Sequence, residues 1–333
     1  MKRKLRSISR LISQRFAVFV LLLASISLPV SCKHANSMAG AEKTAPIMLN
    51  EMLGFAPEDR IVIINADDVG MCRSENRATF DAFKRGLITS GTVMVPCPQS
   101  SEAFDAYAAN PDLDLGVHLT LTAEWRTYRW GPVLPVAKVP SLVDDQSLMW
   151  RSYLEFIRHA NPEEVEIEMK AQIDKMIGRG LKPTHIDSHM GCLHYSPVMF
   201  EIYFKLAKEY DLPMRIGSPP RVQQVRRQGI ACNDHLVMIP YDLPRDRKLE
   251  TYQETIANLK PGITELIMHL AYADEEGLAV SSGMRSRESD LELLGRPEFK
   301  QALADNNVRL IGYRELLKLQ RSGRLRPQPA EEG

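Results

Sequence analysis

The chain has 333 residues, with 42 Lys+Arg set against 42 Asp+Glu for a formal charge of zero. That balance argues against a nucleic-acid binder working through a broad basic surface. A hydrophobic fraction of 44% is that of an ordinary globular chain, enough for one large domain or two small ones.

Lys2, Arg3, Lys4, Arg6, Arg10 and Arg15 form a positive leader, followed by an apolar run over residues 16–24 and then Ser27-Leu28-Pro29-Val30-Ser31-Cys32. Residues 1–32 read as an export signal whose apolar core is too short for a comfortable membrane span. Cys32 after a small residue resembles the lipidation site of bacterial lipoproteins, although Pro29 departs from the usual pattern. Ordinary cleavage close by, or an uncleaved anchor, stays open beside it. In each case the folded part leaves the cytoplasm, to the periplasm or cell surface, and with Cys32 modified it is lipid-anchored to the membrane. Export permits disulfides. Cys72, Cys97, Cys192 and Cys232 lack CxxC spacing, however, and read as small buried thiols.

Residues 33–58 lack a sustained pattern and read as a linker. Residues 59–320 read as one catalytic domain, and 321–333 as a frayed tail. Within the domain, strands are expected at 60–65, 89–95, 114–121, 184–187, 214–216, 236–239, 264–268 and 308–311. Each is a short β-branched or apolar run with polar or Gly/Pro borders. Helices are expected at 74–85, 101–109, 162–177, 197–210, 248–259, 285–304 in two pieces around Pro297, and 313–320. Residues 217–232, rich in Pro, Arg and Gln, read as a loop. Residues 122–147 hold Trp125, Tyr128, Trp130 and three prolines. They read as a long excursion, either a substrate-binding loop or a packing insertion. Strand–helix alternation over this length predicts an α/β, (β/α)-barrel-like fold of mainly parallel strands with outer helices. Asp67, Asp68, His118, His189 and His269 all fall at or just after expected strand ends, where barrel enzymes place their chemistry.

Asp67 and Asp68 close the run Ile61-Val62-Ile63-Ile64. Adjacent residues leaving a strand point in different directions, so one can bind a cation while the other takes a proton from an activated water. A turn and helix cap is the plainer alternative. A lone His in an apolar strand, as His118 is, is more often a core residue than a ligand. His185-x-Asp187-x-His189 is a stronger signal, since in an extended segment the three side chains share one face. One carboxylate and two imidazoles suit a catalytic divalent ion whose identity ligand type alone does not fix. His269 could protonate a leaving group or simply lie at the surface.

Asn65-Ala66-Asp67-Asp68-Val69-Gly70 with Asn76, then Gly116-Val117-His118-Leu119-Thr120, then Pro183-Thr184-His185-Ile186-Asp187-Ser188-His189 together resemble the YdjC-like carbohydrate deacetylases, the family of the chitooligosaccharide deacetylases. The resemblance runs from about residue 60 to 317. It implies metal-dependent removal of an acetyl group from an N-acetylated sugar or oligosaccharide. A divalent ion, Mg²⁺ or Zn²⁺, would be held by Asp68, His118 and His189. Asp67 would be the base and His269 would assist departure of the amine, while Asp187, His185 and Arg215 would support these groups or face the substrate. Two departures stand out. Met190-Gly191-Cys192-Leu193-His194 replaces the family's further closely spaced histidines, and Leu270-Ala271-Tyr272 replaces its Pro-Gly after the late histidine. Competing readings are a metal-dependent hydrolase of another ester or a phosphodiester, and a surface sugar-binding protein without activity. A homodimer is one assembly the sequence leaves open.

Overall fold

In the computed structural model the described residues are 46–326 except 218, 241 and 242. The expected signal, Cys32, the first part of the linker and most of the tail lie outside them. Ile61, Val62, Ile63 and Ile64 are all buried, which requires a strand covered on both faces. They belong to β1 (Arg60–Val69). The other strands are β2 (Ser90–Val93), β3 (Leu115–Leu119), β4 (Ile186–Ser188), β5 (His235–Met238), β6 (Gly262–His269) and β7 (Arg309–Leu310). They are ordered β4-β3-β2-β1-β6-β5, all neighbours parallel, with β7 pairing the start of β1. Beyond β4, Met214 bridges both Ile186 and Cys232, and Cys232 lies three residues before β5. The ladder is thereby carried round from β4 toward β5, giving the expected barrel-like wrap.

The helices form where local chemistry favours them. The helix Pro162–Ile177 has Asn161 accepting a hydrogen bond from Glu163 N, proline at its first position, and Val165, Met169 and Ile173 buried along one face. Arg73–Lys84, Ser100–Ala109, Pro197–Glu209, Arg245–Ala257, Met284–Leu294, Pro297–Asp305 and Tyr313–Arg321 likewise occupy stretches read as helical. Several segments differ from expectation. Residues 219–227, read as loop, are the helix Pro219–Arg227: its prolines sit in the tolerated first turn, and Val222, Val225 and Arg226 are buried. The end of the expected linker is folded, with Leu49–Leu53 helical and Leu49 fully buried. Leu325, in the expected tail, is buried against the same cluster. Tyr153–His159 and Glu275–Val280 are further helices that the sequence pattern did not single out. Cys72, Cys97, Cys192 and Cys232 are free, buried thiols.

Candidate active site

β1 ends irregularly. Ala66 pairs Gly91 but Val69 pairs Val93, so the register shifts across Asp67 and Asp68. Asp68 has φ 66 and Gly70 φ 90. A left-handed aspartate costs of order 1–3 kcal/mol and persists only where its surroundings dictate it. Here the bulge defeats the normal alternation of a strand. Both carboxylates face His118 Nε2, Asp68 Oδ1 at 3.3 Å and Asp67 Oδ2 at 3.9 Å. The expectation that they diverge is corrected by this single backbone feature. Gly70 is required on two counts, since a Cβ there would also lie 3.0 Å from Ser100 Cα.

Asp68 Oδ1, His118 Nε2 and His189 Nδ1 form a near-equilateral triangle with edges of 3.3, 3.3 and 3.2 Å. A point equidistant from such atoms lies about 1.9 Å from each, so one slightly above their plane meets the 2.0–2.2 Å of zinc–nitrogen and zinc–oxygen bonds. Asp68 Oδ1 is buried without a hydrogen-bond partner, as an atom reserved for a cation would be. These residues therefore fit a metal ion. Burial disfavours a charged His118, but Asp187 and Asp67 beside it outweigh burial and hold its pKa well above the usual imidazole value. His189, also buried, is pushed up to about 9 by Glu124 and Asp68. The electrostatics of the pocket thus call for positive charge at this point.

Below the triangle the barrel interior is polar. Asp187 Oδ1 lies 2.6 Å from His118 Nδ1, which fixes that ring and turns Nε2 toward the triangle. Arg215 makes two hydrogen bonds to Asp67, at 2.8 and 2.6 Å, and also reaches Asp187 (2.8 Å) and Glu265 (2.8 Å). Asn65 Nδ2 donates to Asp67 Oδ1 at 2.7 Å. Burial would raise the Asp67 pKa, yet Arg215 and His118 pull it well below the usual carboxylate range. Arg215 is 3% exposed, so it supports Asp67 and does not face a substrate. For His185 too, burial leaves the supporting alternative and removes the substrate-facing one. His185 lies one pleat repeat deeper than Asp187, fully buried, stacked on Tyr313 at 3.7 Å and in line to collide with any Cβ at Gly116. It fills the barrel core and cannot meet a substrate.

At the rim, Arg287 Nη2 lies 2.8 Å from Asp68 Oδ2 and also bonds Glu75. His269 Nε2 lies 3.9 Å from the same Oδ2. Burial holds His269 down to about 4, Asp68 opposing and Arg287 reinforcing the shift. The excursion after β3 is joined to the site. Glu124 Oε2 lies 3.0 Å from His189 Nε2, and Trp130 packs edge-on to His189 at 6.3 Å. Trp125 and Tyr128 are pinned by hydrogen bonds to Met71. Glu124, Glu265 and Arg287 escaped the sequence reading. An acid beside Trp125 was a signal for Glu124; for Arg287, inside an exposed-looking charged helix, there was none.

The profile of YdjC-like proteins matches residues 61–305. The chain belongs to the YdjC-like family. A carbohydrate deacetylase from Thermoanaerobacter pseudethanolicus is 30% identical over 254 residues, covering 76% of this chain and 98% of the relative. One from Brevibacillus brevis is 32% identical over 258 residues, covering 77% and 99%. A chitooligosaccharide deacetylase from Yersinia enterocolitica is 29% identical over 264 residues, covering 77% and 98%. The crystal structure of a protein proposed to cleave cellobiose-phosphate, from Enterococcus faecalis V583, superposes with a TM-score of 0.67 at 29% identity, covering 78% of this chain and 99% of that one. The YdjC-like region contains every site residue described, from Asn65 on β1 to Arg287.

Proposed function

We propose that this YdjC-like chain is an amide hydrolase that removes the acetyl group from an N-acetylated sugar, with a divalent cation held by Asp68, His118 and His189. The observation that carries the reading is the triangle of three donor atoms 3.2–3.3 Å apart, one of them an unpartnered buried oxygen, with a second carboxylate alongside. Its relatives named as carbohydrate deacetylases support the acetylated sugar as substrate. Two imidazoles and one carboxylate favour a borderline ion such as zinc over magnesium. When bound, the cation would polarise the acetyl carbonyl and lower the pKa of a water beside it.

The chain's own residues supply the proton chemistry. Asp67 is ionised at neutral pH because Arg215 and His118 outweigh its burial, and it takes the proton as water adds to the carbonyl carbon. Arg215 and Asn65 hold the plane of that carboxylate, so its orientation needs no rearrangement during the reaction. Breaking the C–N bond leaves acetate and an amine that needs one proton. His269, neutral at rest and 16% exposed at the rim, delivers that proton after receiving one from the site.

Acetate release from N-acetylglucosamine oligomers, with and without chelator, tests the reading. Asp67→Asn is expected to lose about 10²- to 10⁴-fold in kcat while keeping its metal, and His118→Ala is expected to lose the metal. Acetate release that survives complete metal removal, or full activity in Asp67→Asn, would sink it.

A further inference from the structure

Beyond His189 the chain presents three large side chains to solvent within nine residues. Tyr195 is 68% exposed and Met190 51%, while Val198, three residues past Tyr195, is 52% exposed. Met190 is held at φ 52, a left-handed conformation unusual for its type, which turns it outward directly beside the candidate ligand. The Tyr195 ring is not loose. It lies over Gly191, where an added Cβ would meet Cε2 at 3.0 Å and Oη at 3.3 Å. It is also braced edge-on by Tyr153 at 5.2 Å and 65°. Tyr153 begins the helix that follows the excursion after β3, so two loops from the strand C-terminal rim meet in this one contact. Gly191 makes the arrangement possible: it has φ 65 and no side chain to hold the ring away.

An exposed aromatic face, braced over a glycine two residues beyond a candidate metal ligand, marks a binding surface more than a stability device. A pyranose ring has an apolar face of C–H groups and a polar edge, and the former stacks on aromatic rings. We propose that Tyr195, braced by Tyr153 and flanked by Met190, is a stacking subsite for the sugar ring next to the one being deacetylated. The occupant is an oligosaccharide, because a single ring seated at the Asp68–His118–His189 triangle would leave this platform bare. The argument for that occupant is continuity, since only Met190 separates His189 from the glycine under the Tyr195 ring. The inference rests on the deacetylase reading for the position of the reacting ring.

Calorimetric titration of the full chain, loaded with zinc, with N-acetylglucosamine monomer and trimer tests it. Tyr195→Ala is expected to lower the preference for trimer over monomer by about five- to tenfold, the worth of one aromatic contact. Tyr195→Phe is expected to keep that preference, since the ring face remains. Trimer binding that Tyr195→Ala does not weaken overturns the proposal. So does equal weakening toward both sugars, failure of the native chain to bind trimer, or a change confined to its sedimentation, which would make the patch a contact between copies. Acetate release is measured alongside. Tyr195-dependent trimer binding without acetate release would remove the deacetylase reading and keep the platform. Acetate release with an unchanged trimer preference in Tyr195→Ala would do the reverse.

Discussion

Glu124 Oε2 sits 3.0 Å from His189 Nε2, on the far side of the imidazole from the proposed cation. A carboxylate there fixes the ring and makes Nδ1 a better donor, the same arrangement that Asp187 provides for His118. Glu124→Gln is expected to weaken zinc binding by about 10- to 100-fold with the fold intact, measured by competition against a chelating dye. An unchanged affinity would reduce Glu124 to a rim residue. His185 makes a different prediction at the same scale. Burial and Arg215 hold it well below the ordinary imidazole range, with Asp67 opposing and His118 reinforcing the shift. Unfolded, it titrates near 6.5, so below about that pH the unfolded chain binds the extra proton and acid favours unfolding. The urea midpoint is expected to fall from pH 7.5 to pH 5, and to fall less in His185→Gln. The same drop in the variant would show that another group is responsible.

Among the elements, those with one dominant signal were legible. The apolar run of β1, and the cap, proline and face of Pro162–Ile177, each forced one structure. Residues 219–227 were not, because their prolines and arginines look like loop chemistry until Val222, Val225 and Arg226 are seen buried together. The strand ends that carry the site could be read, but the bulge at Asp68 could not, since nothing in Asp67-Asp68 announces a left-handed residue. The excursion after β3 lies between these cases. Its aromatics were visible, but it is also tied down by Glu168, buried on the helix Pro162–Ile177 and accepting from Val133 N (2.8 Å), Leu134 N (3.0 Å) and Gln172 Nε2 (2.9 Å). Glu168→Leu would leave two backbone N–H groups without that acceptor, at about 1–3 kcal/mol each. Hydrogen exchange is expected to quicken across residues 122–147, with His189 losing the support of Glu124. Unchanged protection there would show that the aromatics order the loop unaided.

At the scale of the molecule, the domain boundary drawn at residue 59 cuts through the core. Ile47 and Leu49 cluster with Ile61, Ile63, Ile263, Tyr313 and Leu316 at the strand N-termini, the end opposite the site. Asn50 Nδ2 donates to Asp59 O at 3.0 Å, and the buried Arg226 donates to Ile47 O at 2.9 Å. From this plug a buried column leads upward. Tyr313 Oη donates to Glu265 Oε2 at 2.5 Å, Arg215 Nε donates to Glu265 Oε1 at 2.8 Å, and Arg215 grips Asp67. A chain starting at residue 59 loses two buried apolar side chains and exposes their partners, about 5 kcal/mol by area. It is expected to melt about 10 °C below a chain starting at residue 46. Because the column ends on Asp67, kcat at a temperature where both chains are folded is expected to fall as well, while zinc affinity, set at the rim by Asp68, His118 and His189, falls less. Equal melting temperatures would show that the helix Leu49–Leu53 only rests on the barrel. Equal kcat with unequal melting would show that the plug stabilises the fold without holding the base.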